Sequence, residues 1–195
     1  MLKSILLYAG LAVASANVLA TPRSLILEQS EIRFVVKEMG VPVAGAFKRF
    51  DASIDIDSAN PERSSARMRI DIASLSTGND EADAVAVDTD WLDKAHASYA
   101  TFESTSIRAL GGDEYEAKGT LSIRNRGRPI TVRFRKVEEA TGLALLTSEF
   151  TISRSEFGVG GGEWNQPGVV AEEVPVKVRL RLGSAVLKSD THSSR

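Results

Sequence analysis

The sequence predicts an all-β fold, an antiparallel meander that closes on itself, with one short helical connection. Three observations predict it. Apolar and polar residues alternate with a period of two along most of the chain, Gly/Asn/Asp/Pro clusters separate the alternating runs, and only one segment has a helical composition. At 195 residues with 43% hydrophobic content, the chain suits one domain with a substantial core. A formal net charge of -2 argues against nucleic acid as the main partner, because neutralising phosphates needs a concentrated basic face. The absence of Cys excludes a disulfide framework, a thiolate metal site and a Cys nucleophile.

The first segment carries an export signature. Lys3 supplies a positive start, Ile5 to Val13 is apolar, and the small-residue triplets Ala14-Ser15-Ala16 and Val18-Leu19-Ala20 follow. Cleavage is expected after Ala20, with Ala16 as the alternative. The run is short for a membrane span, which needs roughly 20 apolar residues, and Ser15 and Asn17 interrupt it. The expected organisation is a signal peptide over 1–20, one β-domain over 21–183 and a polar tail over 184–195. No stable membrane insertion is expected of the mature chain.

The strands follow in order. Ile32, Phe34 and Val36 alternate with Glu31, Arg33 and Lys37. Phe50, Ala52, Ile54 and Ile56 form a second apolar face, and Ala66, Met68, Ile70 and Ile72 a third. Leu121 and Ile123, then Ile130, Val132 and Phe134, repeat the signal, and Leu146, Phe150 and Ile152 share the face of a further strand. The last strand sets Val170, Val174, Val176, Val178, Leu180 and Leu182 against Glu173, Lys177, Arg179 and Arg181, with Glu172 out of place on the apolar side. Gly111-Gly112-Asp113 and Asn125-Arg126-Gly127 have the composition of hairpin loops. Between Thr77 and Lys94 the rhythm breaks. Asn79 is placed to cap a short helix whose first turn holds Asp80, Glu81 and Asp83, with Val85 and Trp91 available to pack inward. This segment is expected to lie across one end of the barrel.

Catalytic and metal motifs are sparse. Of the two His residues, His96 is expected in an exposed loop and His192 in the tail. Asp88, Asp90 and Asp93 lack the central Gly and terminal Glu of a calcium loop. Gly158-Val159-Gly160-Gly161-Gly162 lacks the Lys and Ser/Thr that end a phosphate loop and is expected at a barrel rim. Asp55 and Asp57 lie on a wet strand face, and the Arg pairs 67/69, 133/135 and 179/181 read as solvated strand surface. The chain is therefore expected to be neither an enzyme nor a cofactor protein. The informative feature is the apolar face, which in a closed sheet must line the interior. Its members are Ile32, Phe34, Val36, Ile54, Met68, Ile70, Phe102, Leu121, Ile123, Val132, Phe134, Phe150, Val176 and Val178, the expected ligand-binding set.

Several stretches resemble the YceI-like family of polyisoprenoid-binding, periplasmic barrels. They are Ile32 to Gly40, Gly45 to Phe50 with Ile54 to Asp57 and Asn60-Pro61-Glu62, and Ile70 to Asn79. Tyr99 to Thr105, Gly119 to Ile123 with Arg128-Pro129-Ile130, and Arg154 to Val159 complete the set. The resemblance runs from about Leu27 to Leu182. It departs at Ala84-Val85, where the family usually has His-Leu, and at Ala100, commonly Pro. It implies an eight-stranded, lipocalin-like barrel holding an isoprenoid or similar apolar lipid in its lumen, in the periplasm, and it carries over no catalytic residue. A homodimer is left open. The alternative is a scaffold, interacting or stress-related, whose lumen is filled where Phe34, Phe102, Phe134 and Phe150 meet.

Overall fold

The computed structural model describes residues 23–183. The expected signal peptide and polar tail lie outside the described residues. Five strands come first: β1 Glu31–Glu38, β2 Val41–Phe47, β3 Phe50–Asp55, β4 Ser65–Asp71 and β5 Leu75–Ser76. The helix α1 spans Asp80–Ala86, and β6 Tyr99–Gly111, β7 Glu114–Ile123, β8 Arg126–Glu138, β9 Ala144–Ser153 and β10 Glu173–Leu182 complete the fold. The strands form one antiparallel sheet in the order β3-β4-β6-β7-β8-β9-β10-β1-β2-β5.

The count of ten corrects the eight expected. Val41-Pro42-Val43-Ala44-Gly45-Ala46-Phe47 has no polar alternate positions, so the period-two pattern does not reveal β2. Lys48-Arg49 separates β2 from β3, and a 3-10 turn at Ile72–Ser74 separates β4 from β5. The two breaks face each other. Lys48 N–H donates to Ser74 O and Asp71 N–H to Arg49 O, both at 3.0 Å, which carries the pairing past the kink. Buried Ser74 completes the repair, its Oγ accepting from Arg49 N–H at 2.9 Å and donating to Asp71 O at 2.7 Å. The end strands β3 and β5 are thus the chain continuations of β2 and β4, and the sheet curls round on itself into a barrel-like form.

Two boundaries also move. Ile123 pairs directly with Arg126, so the β7–β8 turn is Arg124-Asn125, one residue before the expected cluster. Both have positive φ, 53° and 58°, as a type I′ hairpin requires. The last strand begins at Glu173, which leaves Val170 as an isolated bridge to Glu38 and frees Glu172 from the apolar face. The Glu172 carboxylate instead accepts from the hydroxyls of Ser153 and Ser155 and, at 3.1 Å, from Ser155 N–H.

The helix forms where its cap predicts. Asn79 Oδ1 accepts from Glu81 N–H and Ala82 N–H, each at 3.0 Å. Asp83 turns back and accepts from Thr77 N–H at 2.6 Å and Thr77 Oγ1 at 2.7 Å, which fastens the helix to the end of β5. Trp91 packs inward as expected, and Val85 faces the interior while remaining 42% exposed. Among the described residues no helix is long and apolar enough to cross a membrane.

Candidate functional site: an apolar lumen

The inward face of the sheet encloses a cavity of about 520 Å³. Its size falls in the range of small-molecule sites, which run from about 300 to 1,000 Å³. All fourteen residues of the apolar face named from the sequence stand on its wall. They come from β1, β3, β4, β6, β7, β8, β9 and β10. Phe47, Leu75, Ala117 and Leu180 add to the wall, and α1 contributes Ala82, Val85 and Ala86 at one end.

Two of the large aromatics, Phe34 and Phe102, lie flat on the sheet where glycines make room for them. Phe34 pairs across the ladder with Gly45, and a Cβ there would lie 2.8 Å from Cε1 of the ring. Phe102 lies over Gly119 in the same way, with Cε2 2.7 Å from the missing Cβ. Phe34 meets Phe47 at 5.6 Å between centroids, and Phe134 stacks on Tyr115 at 5.4 Å. Phe34 and Phe102 are thus held against the wall, and Phe134 against Tyr115.

Buried polar groups stand at both ends of the barrel. At the end away from α1, Lys136 continues the inward parity of Ile130, Val132 and Phe134 and is buried. Its Nζ pairs with Glu138 at 2.8 Å and donates to Ser58 Oγ at 3.3 Å, while Tyr115 OH donates to Ser58 Oγ at 3.0 Å. Glu138 also takes a two-pronged contact from Arg23, 2.9 Å for each nitrogen. Lys136 is not among the residues expected on the inward face, although its parity on β8 places it there.

At the α1 end Arg154, buried to 4% exposure, touches the cavity. Its guanidinium donates to five main-chain carbonyls, those of Ala171, Val159, Gly160, Trp164 and Val170. These bonds use all of its N–H donors. Arg154 therefore binds the chain segment from Val159 to Ala171 to the barrel and has no donor left for a ligand. Trp91 and Trp164 meet edge-on at 5.4 Å beside it, and the buried Trp91 Nε1 has no hydrogen-bond partner among the described residues.

The other candidates have structural roles. His96 is exposed and pairs through Nδ1 with Asp93 at 2.8 Å. Asp90 O accepts from Gly160 N–H at 2.9 Å and Gly161 N–H at 2.8 Å, so the glycine run docks on the segment after α1. Asp57 accepts from Ala59 N–H at 2.9 Å and Asn60 N–H at 3.0 Å, which closes a turn. Of the surface arginines, Arg67 pairs with Glu103 at 2.9 Å, Arg69 with Asp51 at 3.1 Å and Arg135 with Asp113 at 3.3 Å.

Known proteins share this architecture. The crystal structure of BcnA from Burkholderia cenocepacia superposes with a TM-score of 0.77 and 34% identity, over 80% of this chain and 98% of that one. A polyisoprenoid binding domain from Saccharophagus degradans, implicated in plant cell wall breakdown, has the same fold at a TM-score of 0.65 and 20% identity, over 83% and 97% of the two chains. By sequence, a UPF0312 protein of Azotobacter vinelandii is 30% identical over 139 residues, 71% of this chain and 70% of that protein. A UPF0312 protein of Vibrio cholerae is 32% identical over 104 residues, and that match spans only 55% of its length. Residues 24–182 match the family model of the YceI-like domain, and the chain belongs to that family.

Proposed function

We propose that this protein is a periplasmic binding protein that carries a polyisoprenoid or a similarly apolar lipid in its lumen and catalyses no reaction. The observation that carries this reading is the open cavity of about 520 Å³ walled by inward-facing apolar side chains. Each methylene moved from water into such a wall contributes about 0.8 kcal/mol, so a branched hydrocarbon chain binds tightly with few polar contacts. The ligand-contacting residues in this reading are the fourteen of the apolar face. The Saccharophagus polyisoprenoid binding domain, which has the same fold, supports the ligand class. The periplasmic part rests on the N-terminal sequence pattern at Lys3, Ile5 to Val13 and Ala20.

The test is native mass spectrometry of protein purified from periplasm without detergent, followed by organic extraction. A discrete adduct that extracts as an isoprenoid is expected. Protein that carries no adduct and takes up no added polyprenol would overturn the carrier reading in favour of a scaffold.

A further inference from the structure

The wall of the lumen continues out to the surface beside α1. Among the described residues, four on the wall are exposed: Thr147, which has the outward parity of β9 between Arg135 and Arg179, and Asn79, Glu81 and Val85, which belong to α1 or its cap. The wall also includes Val43 and Phe47 of β2, the strand that pairs with β5 just before α1. This strand pairs with β1 along its whole length, but with β5 only at Ala46 and Phe47. Beyond that point no described strand covers the edge from Val41 to Gly45. The mouth of the cavity therefore lies where β5 stops, between the free edge of β2 and α1.

Apolar side chains cross this mouth. On β2, Phe47 and Val43 line the cavity, and Val41 shares their parity yet is 63% exposed. Next to it, Met39 at the β1–β2 turn is 79% exposed. Across the mouth, Val85 lines the cavity while remaining 42% exposed. Among the described residues two other large hydrophobics are exposed: Tyr99, covered by Arg69 at 4.7 Å, and Leu110 at the opposite end. The lumen surface thus runs out along β2 to Val41 and Met39, and on α1 to Val85.

We propose that Met39, Val41 and Val85 dock this end of the barrel transiently on a lipid bilayer, so that the ligand passes between β2 and α1 without meeting water. This inference rests on the carrier reading above. The occupant is argued from the continuity of the patch with the cavity, since a ligand as apolar as the wall has its reservoir in a bilayer. A second copy adding a strand to β2 is disfavoured by Pro42, which removes an N–H from that edge. The rim is acidic, with Glu38, Asp80 and Glu81 beside the mouth. Docking is therefore by apolar insertion, and anionic lipid does not strengthen it.

The experiment is flotation of the purified protein with phosphatidylcholine vesicles, with and without part of the lipid replaced by phosphatidylglycerol. Light scattering measures the oligomeric state in parallel. Wild type is expected to float as a monomer, equally with both vesicle types. The double variant M39S/V41S and the single variant V85S are expected to lose vesicle binding by about tenfold per side chain removed, whereas L110S floats like wild type. The proposal is overturned if wild type does not float, if M39S/V41S floats unchanged, or if the patch is covered in a dimer that M39S/V41S dissociates. Polyprenol uptake from detergent micelles separates the two readings. Flotation without uptake defeats the carrier reading alone, and uptake without flotation defeats the docking alone.

Discussion

Phe34 stands directly across the β1–β2 ladder from Gly45, and its ring occupies the space where a Cβ would be, 2.9 Å from Cε2. This pairing keeps the lumen open: without a side chain on Gly45, the ring lies along the wall. Gly45→Ala is expected to push Phe34 inward. The overpacking costs about 1–3 kcal/mol, seen as a lower urea midpoint, and uptake of an apolar fluorophore weakens as well. Phe34→Leu in the same chain should recover much of the loss. A Gly45→Ala protein as stable and as absorptive as wild type would sink this account.

Arg154 gives the second prediction. Arg154→Met leaves five carbonyls without their donor, and a loss of about 3–5 kcal/mol is expected in urea unfolding. Amide exchange should accelerate selectively between Val159 and Ala171, while the strands far from this segment keep their relative protection. Arg154→Lys keeps the charge but supplies three donors on a point-like head, and is expected to recover only part of the loss. Uniform acceleration over the whole sheet would show that Arg154 does not act on this segment in particular.

The buried Lys136 and the half-exposed Glu138 are expected to respond asymmetrically. Lys136→Met fills the same space, and Glu138 keeps Arg23, so the cost should stay within about 1 kcal/mol. Glu138→Ala leaves the Lys136 ammonium hydrogen-bonded only to Ser58 Oγ and Ile56 O, with Asp55 as its nearby carboxylate, and should cost about 1–2 kcal/mol. Thermal unfolding of the two variants ranks them, and the reverse order would refute the assignment of Lys136 as the desolvated partner.

The fourth prediction concerns acid. The Thr77 hydroxyl first, and then the Thr77 N–H, hold the Asp83 carboxyl below the usual carboxylate range. A depressed folded value means that the contribution is fully present above the unfolded pKa of about 3.9, and is lost as pH falls through the lower folded value. Wild type should therefore exceed Asp83→Asn in stability at neutral pH, and the difference should shrink below about pH 4. A difference independent of pH between 2 and 7, followed by circular dichroism, would count against the Thr77–Asp83 latch.

Much of the fold was legible because a half-buried strand writes its orientation into every second residue. The helix was equally legible through Asn79 and the acidic first turn. β2 was not, since both of its faces carry apolar or small residues, and neither was the register of the β7–β8 turn, where Arg124 adopts a left-handed conformation without being glycine. Lys136 and Arg154 were hidden for another reason. A charged residue reads as surface until the fold shows which carbonyls and carboxylates surround it.

The sequence by itself determined which side chains face inward, that this face is apolar, and where the helix interrupts the sheet. These are local properties, fixed by residue order and the geometry of a pleated chain. Tertiary structure decided whether the interior is a cavity or a packed core, and where it opens. Those outcomes depend on residues distant in sequence: Gly45 beneath Phe34, Gly119 beneath Phe102, and β5 stopping at Ser76 so that the edge of β2 stays free beside α1. Packing across a curled sheet is set by neighbours that the chain brings together only on folding, and no periodicity in the sequence records it.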